Sequence, residues 1–212
     1  MDRAKELFTK VYGKIFESYD FFFGRFIQQL FTKPSSILFL GIDNAGKTTL
    51  VRKLKHGTNE TYMPTRHPSR TQIDIGNLKA TVIDLGGHKA ARVVWTKYFY
   101  NCDGIIFIVD VNDTARFDEV RETYNEVRKL EKKAPIAVLM NKIDIEGKTE
   151  NDVQWTEDIK ARTGIYDSPG SETEQPVNVA WVSIVQESSD ALTGPLAMSF
   201  KWLEMMINKT RQ

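Results

Sequence analysis

One stretch, Gly41-Ile42-Asp43-Asn44-Ala45-Gly46-Lys47-Thr48, limits what this chain can fold into more than any other. It has the form G-x-x-x-x-G-K-[ST], and its surroundings suit that form. Ile37-Leu38-Phe39-Leu40 ahead of it is a short apolar run that reads as a buried strand, and Thr48 to about His56 behind it reads as a helix. Strand, glycine loop and helix make the geometry in which successive backbone N–H groups close round a phosphate, helped by the positive end of the helix. Side chains at positions 41 and 46 would block so tight a loop. Lys47 is then placed to reach the β- and γ-phosphates of a nucleotide, and Thr48 to hold Mg²⁺. The bland alternative is a glycine turn followed by a solvated lysine.

The rest of the chain supplies the context for such a loop. Apolar runs at Ser36–Leu40, Leu78–Leu85, Asp103–Val111, Pro135–Met140 and Val177–Ile184 read as strands, and they alternate with helical periodicity at 91–100, 116–133, 152–162 and 192–209. Alternation of this kind predicts a mostly parallel α/β sheet with helices on both faces. Arg70 to Ile75 and Leu78 to Leu85 flank Gly76-Asn77, a hairpin-like turn, so the first of the two is expected as an antiparallel edge strand of a six-stranded sheet. Thr114 is a plausible cap for the helix from Arg116. Gly57 to Ser69 and Thr163 to Pro176 have no apolar period and read as loops, the second with a solvated negative patch.

Two strand ends carry further chemistry. Asp84-Leu85-Gly86-Gly87-His88 places an aspartate where a nucleotide-bound Mg²⁺ is approached, and glycines where backbone can come close to a terminal phosphate. Asn141-Lys142-Ile143-Asp144 suits a guanine ring. Its aspartate can accept from the N1–H and the 2-amino group, and adenine has neither donor, which would leave the carboxylate unpaired. Lys142 can lay its stem over the ring, and Asn141 can tie this loop to the phosphate loop. Ser183 and Ile184, at the end of the last strand, can offer backbone N–H groups to the guanine O6.

The first 33 residues stand apart. Seven of the 12 phenylalanines lie here, and Phe8, Tyr12, Ile15/Phe16, Tyr19, Phe22/Phe23, Phe26 and Leu30 recur at helical spacing until Pro34. Residues 1–33 are read as an amphipathic aromatic-rich helix that lies in a membrane surface, ahead of a single domain over 34–212. A terminal helix packed on the domain or on a partner chain is the competing reading. No run of 18 apolar residues predicts a spanning helix, and position 2 is Asp2, so the N-myristoylation signal is absent. The net charge of +1 gives no reason to expect a nucleic-acid partner. Cys102 is the one cysteine and reads as packing, which leaves no disulfide framework. The chain reads as intracellular.

Taken together these residues resemble the Arf-like branch of the Ras superfamily of small GTPases, and within it the GTPases of the COPII coat. Gly41 to Thr49 is similar to the phosphate loop of that branch, with Asp43 where most Ras-like proteins have glycine. Met63-Pro64-Thr65-Arg66-His67-Pro68-Ser69 and the histidine of Asp84-Leu85-Gly86-Gly87-His88 carry the likeness to the COPII members, as do Arg92 to Tyr98 and Phe200-Lys201-Trp202. Arg66, Arg70, Thr71 and the loop from Ser168 to Gln175 depart from the family pattern. The resemblance implies a Ras-like P-loop GTPase fold that binds GTP or GDP with Mg²⁺. Asp43, Asn44, Ala45, Gly46, Lys47, Thr48 and Thr49 would hold the phosphates. Asn141, Lys142, Asp144, Ser183 and Ile184 would hold the base, and Thr48, Thr65 and Asp84 would serve the metal. His88 would orient the attacking water, with Gly87 as backbone donor to the γ-phosphate, Thr65 joining only in the GTP state, and Lys47 stabilising charge.

The same resemblance implies slow intrinsic hydrolysis, completed by an activating coat protein, because no built-in arginine finger is evident. It also implies a membrane-bound exchange factor, inner-coat subunits as partners, relaxation of residues 58–70 and 86–95 on hydrolysis, and endoplasmic reticulum or Golgi membrane as the place of action. Three alternatives remain at this point: an Arf-like GTPase at another membrane, a GTP-bound scaffold with negligible hydrolysis, and an ATP-using P-loop kinase, which the residues 141–144 disfavour.

Overall fold

The structure is a computed structural model, and it describes residues 22–55, 70–75, 77–83, 98–145, 147, 150–171, 174–186 and 193–211. Strand β1 (Ser35–Leu40) leads through the phosphate loop into α2 (Lys47–Lys55); a helix over 22–30, here α1, precedes it. Then come β2 (Arg70–Ile75), β3 (Leu78–Ile83), β4 (Gly104–Asp110), a 3₁₀ turn (Thr114–Arg116), α3 (Phe117–Leu130), β5 (Ile136–Asn141), α4 (Val153–Thr163), β6 (Val177–Val182) and α5 (Pro195–Thr210). Proline at the first position of α5 follows from its missing N–H, which no helix start needs. Asp152 caps α4 by accepting from the Trp155 N–H at 3.2 Å. Thr114 does not cap α3. It lies inside the 3₁₀ turn, and that turn and α3 both begin without a side-chain cap.

Hydrogen bonding connects the strands in the order β2-β3-β1-β4-β5-β6. The run β3-β1-β4-β5-β6 is parallel at every pairing. Among the described side chains, the strand residues of both core clusters come from these five. Within this six-stranded sheet the body, β3-β1-β4-β5-β6, is five-stranded and all its strands are parallel, and β2 adds the antiparallel edge. β2 is only the outer arm of a hairpin, paired with β3 alone from Arg70↔Ile83 to Ile75↔Leu78. The physical reason lies in the connections. The two-residue link at 76–77 can only fold β2 back against β3, whereas the other strands are joined by long crossovers that cover both faces.

Side chains two apart on a strand share a face, so each buried strand feeds two cores. Ile37, Phe39, Ile106, Ile108, Ala137 and Leu139 meet α1, α2 and α5 on one side. Leu38, Leu40, Ile105, Phe107, Val138 and Met140 meet α3 and α4 on the other. The described part of the N-terminal aromatic segment belongs to the first core. Phe23, Ile27 and Phe31, one helical face, are buried. The Phe23 ring lies edge-on to Phe200 at 5.9 Å, and Phe200 in turn meets Phe39 of β1 at 6.4 Å. Lys53 of α2 stands over the Phe23 ring, and Lys201 of α5 over Phe26, so α1 is seated between those two helices. Phe22 remains 59% exposed.

Phe200 therefore joins α1, β1 and α5. Phe200→Ala should cost about 3–5 kcal/mol of stability, measured by denaturant unfolding, because the cavity opens beneath a helix that cannot follow.

Burial, with the carboxylates of Glu131 and Asp103 nearby, pushes the Cys102 thiol up to about 12, so it is no nucleophile near neutral pH. Ile165, Ser168 and Gln175 are buried, and Ser168 pairs with Val177, so the loop from Thr163 to Pro176 is anchored at those points.

Candidate functional site

Strand order places the site. The chain leaves β1 towards β3 on one side and leaves β4 towards β5 on the other, so a crevice opens between the carboxyl ends of β1 and β4. The phosphate loop lies there. Gly41 and Gly46 have φ of 149° and 116°, which side chains rarely adopt. A Cβ on Gly41 would fall 2.4 Å from the Ile108 carbonyl oxygen, and one on Gly46 would fall 2.4 Å from Asn141 Nδ2. Gly46→Ala should therefore push apart the phosphate loop and the 141–144 loop. The expected result is a loss of nucleotide affinity of about 100-fold or more, read by equilibrium binding of a fluorescent nucleotide.

Lys47 is buried, and its Nζ donates to the carbonyls of Gly41 at 2.9 Å and Ile42 at 2.6 Å. The ammonium is thus curled back over the start of its own loop, across the floor on which a phosphate would sit. Thr48 is exposed and Ala45 fully buried. A cavity of about 250 Å³ is lined by Asn44, Gly46, Lys47, Thr48, Thr49 and Lys142, so the phosphate loop and the loop after β5 face one space.

The loop after β5 is braced from three directions. Asn141 is buried; its Nδ2 donates to the Ala45 carbonyl at 2.9 Å, and its Oδ1 accepts from the Ile184 N–H at 3.0 Å. One amide thereby ties the phosphate loop, β5 and the end of β6 together. Ile184 spends its backbone donor on Asn141, and the Ser183 hydroxyl accepts from the Gln186 N–H at 3.0 Å. Lys142 takes a left-handed backbone, φ 71°, and its ammonium lies 2.6 Å from Asp110 Oδ2. Asn112 Nδ2 donates to the Lys142 carbonyl at 2.8 Å. Asp144 Oδ1 is enclosed and has no hydrogen-bond partner among the described residues. An enclosed carboxylate oxygen without a donor is costly by itself, and such a group fits a ligand that brings N–H donors.

Thr65, Asp84, Gly87 and His88 lie outside the described residues, as does the aromatic segment over 1–21. Among the described residues no cluster of three or more His, Cys, Asp or Glu side chains could hold a metal. Two acidic groups of the crevice and one basic group were not singled out from sequence: Asp110, Asp43 as an ion-pair partner, and Arg116. Asp110 had a legible signal, an aspartate closing an apolar strand, the same signal that marked Asp84. Arg116 had none, since its partner Asp43 lies 73 residues away. A larger cavity, of about 590 Å³, opens at the other end of the sheet, lined by Lys132, Lys133, Gln175 and Lys209, and holds none of the predicted residues.

A glycine loop between β1 and α2, a base-type loop after β5 and one amide joining them define a P-loop nucleotide-binding protein of the α/β class. The chain belongs to the Arf, or ADP-ribosylation factor, family, whose model matches residues 23–205. It is 56% identical over 211 residues to the small COPII coat GTPase SAR1 of Encephalitozoon cuniculi, covering 98% of this chain and 96% of that protein. A SAR1 protein of Giardia intestinalis is 42% identical over 119 residues, 55% of this chain and 62% of its own length. The crystal structure of the Encephalitozoon cuniculi protein in complex with GDP superposes with a TM-score of 0.88 at 55% identity, covering 99% of this chain and 96% of that one.

Proposed function

We infer that this chain is a GTP-binding switch that hydrolyses GTP to GDP and phosphate, and that it recruits the COPII coat to the endoplasmic reticulum membrane for vesicle budding. The relative at 56% identity bears the name of a small COPII coat GTPase, and its structure holds GDP. On this chain's own residues, one observation carries the base assignment: the enclosed, unpartnered Asp144 Oδ1, on a loop that Asn141 locks to the phosphate loop. Guanine supplies the two donors such a carboxylate lacks, and adenine supplies neither.

The chemistry assigned is in-line attack of water on the γ-phosphate. Lys47 leaves the Gly41 and Ile42 carbonyls to meet phosphate oxygens, and the amides of residues 44–49 stabilise charge on the transferring group without having to reorganise. Thr48, exposed on the cavity, offers the hard oxygen that Mg²⁺ prefers, and Mg²⁺ when bound neutralises charge on the β- and γ-oxygens. Thr65 and Asp84 are proposed as its further support, Gly87 as the γ-phosphate donor and His88 as the group that orients the water. Loss of the γ-phosphate would release Thr65 and Gly87, and so residues 58–70 and 86–95. An activating coat protein and a membrane-bound exchange factor complete the cycle.

No described helix is long and apolar enough to cross a membrane. Attachment is therefore assigned to the aromatic N-terminal segment. Unseating Phe23, Ile27 and Phe31 would cost about 1.5–3 kcal/mol per side chain, which lipid burial of the same side chains offsets. The test is flotation of the full chain on liposomes, loaded with GDP or a non-hydrolysable GTP analogue, beside a full-length variant carrying Phe8→Ser, Tyr12→Ser and Phe16→Ser. The variant keeps Phe23, Ile27 and Phe31, the side chains seated in the core. Binding that needs the GTP analogue and is lost in the variant supports the reading; binding indifferent to both refutes the membrane switch.

A further inference from the structure

Asp43 is an acid on a loop that must wrap a polyanion, and its side chain is 59% exposed. Left free, it would repel the ligand. It is not free. Arg116, on the 3₁₀ turn that follows β4, reaches across the crevice and pairs with its carboxylate. The pairing holds the Asp43 carboxyl below its ordinary range, chiefly through the Arg116 hydrogen bond. The arm that reaches is itself fixed. Arg116 Nε donates to Glu119 at 2.8 Å, and Asp113 lies 3.6 Å from the guanidinium. Arg162 donates to the Thr114 carbonyl at 2.9 Å and lies over the Phe117 ring at 4.7 Å, which pins the turn to α4. On the loop side, the Lys47 ammonium is bonded to the Ile42 carbonyl, one peptide before Asp43, and its charge also acts on the Asp43 carboxyl.

We propose that Arg116 is a positioning residue for the phosphate loop: it holds the Asp43 carboxylate aside, so that the loop presents no free negative charge to the terminal phosphates of GTP. This rests on the guanine-nucleotide reading of the site. Its consequence is specific. Repulsion grows with the charge of the ligand and falls with distance, so release of Asp43 penalises GTP more than GDP. Arg116 acts only through Asp43.

A double-mutant cycle on the full chain tests this. Affinities for GDP and for a non-hydrolysable GTP analogue are measured by titration, at low and at physiological salt. Arg116→Ala should weaken the GTP analogue by about ten-fold and GDP by about three-fold or less. The same Arg116→Ala change made on top of Asp43→Asn should cost less than about two-fold for either nucleotide. Arg116→Lys, which keeps the charge and the turn, should retain most of the preference for the GTP analogue, and it serves if Arg116→Ala does not fold. Equal losses with and without Asp43→Asn would overturn the proposal, and so would equal losses for GDP and the GTP analogue. A wild-type chain that fails to prefer guanine over adenine nucleotides would instead overturn the site reading itself, before any substitution is made.

Discussion

Asp144→Asn should lower the affinity for guanine nucleotides by about 10²- to 10⁴-fold while leaving the fold in place. The enclosed Oδ1 of Asp144 has no partner among the described residues, so the substitution removes none of their hydrogen bonds from that atom. What it removes is a charged acceptor for two ligand donors. In its place an amide would set an N–H against one of them, and a buried donor facing a donor is lost binding on both sides. A positive readout accompanies the loss. Xanthine carries a carbonyl where guanine carries the 2-amino group, and the new amide can donate to it. Competition titrations with guanosine and xanthosine diphosphates should thus show the preference narrowing or reversing. Unchanged guanine preference would remove Asp144 from the base site.

Lys47→Ala should abolish measurable nucleotide binding. The lost ammonium is buried, so its attraction to phosphate is weakly screened, and truncating one partner of such a charged pair costs about 2–5 kcal/mol or more. A second cost comes from the loop. The Lys47 ammonium joins the Gly41 and Ile42 carbonyls, and its removal takes that clamp from the start of the loop. Thermal unfolding without nucleotide separates the two: the clamp term lowers the midpoint of the free protein, whereas the phosphate term removes only the stabilisation that added GDP gives. Retained binding with an unchanged GDP-induced shift would show that Lys47 does not face the phosphates.

The two loops that these predictions probe were legible because each is a local pattern. Gly41, Gly46, Lys47 and Thr48 sit within eight residues, and the glycines are required by backbone geometry that neighbours along the chain impose. Asn141 to Asp144 follows a strand whose apolar run marks it as buried on both faces. Strand and helix order followed from periodicity for the same reason, although boundaries moved by a few residues, as at α5, which begins at Pro195. Alternation along Arg70 to Ile75 shows that the segment is extended, and the two-residue link at 76–77 makes β3 its antiparallel neighbour.

What had no local signature was the set of ion pairs that cross the crevice. The Asp110–Lys142 pair spans 32 residues and the Arg116–Asp43 pair spans 73, and neither partner carries a pattern that names the other. Asn141 reaching Ala45 spans 96, and that tie was legible because the 141–144 pattern itself implies it. The amphipathic spacing of Phe23, Ile27 and Phe31 established an apolar face, yet lipid, a partner and the domain's own core all satisfy the same spacing. Only the placement of α5 against β1 puts Phe200 where that face can bury itself. Backbone geometry and hydrophobic period are short-range properties, and residues three or four apart express them fully. Ion pairs, shared amides and the choice of packing partner depend on which segments the sheet order brings side by side, and that order exists only once the chain has folded.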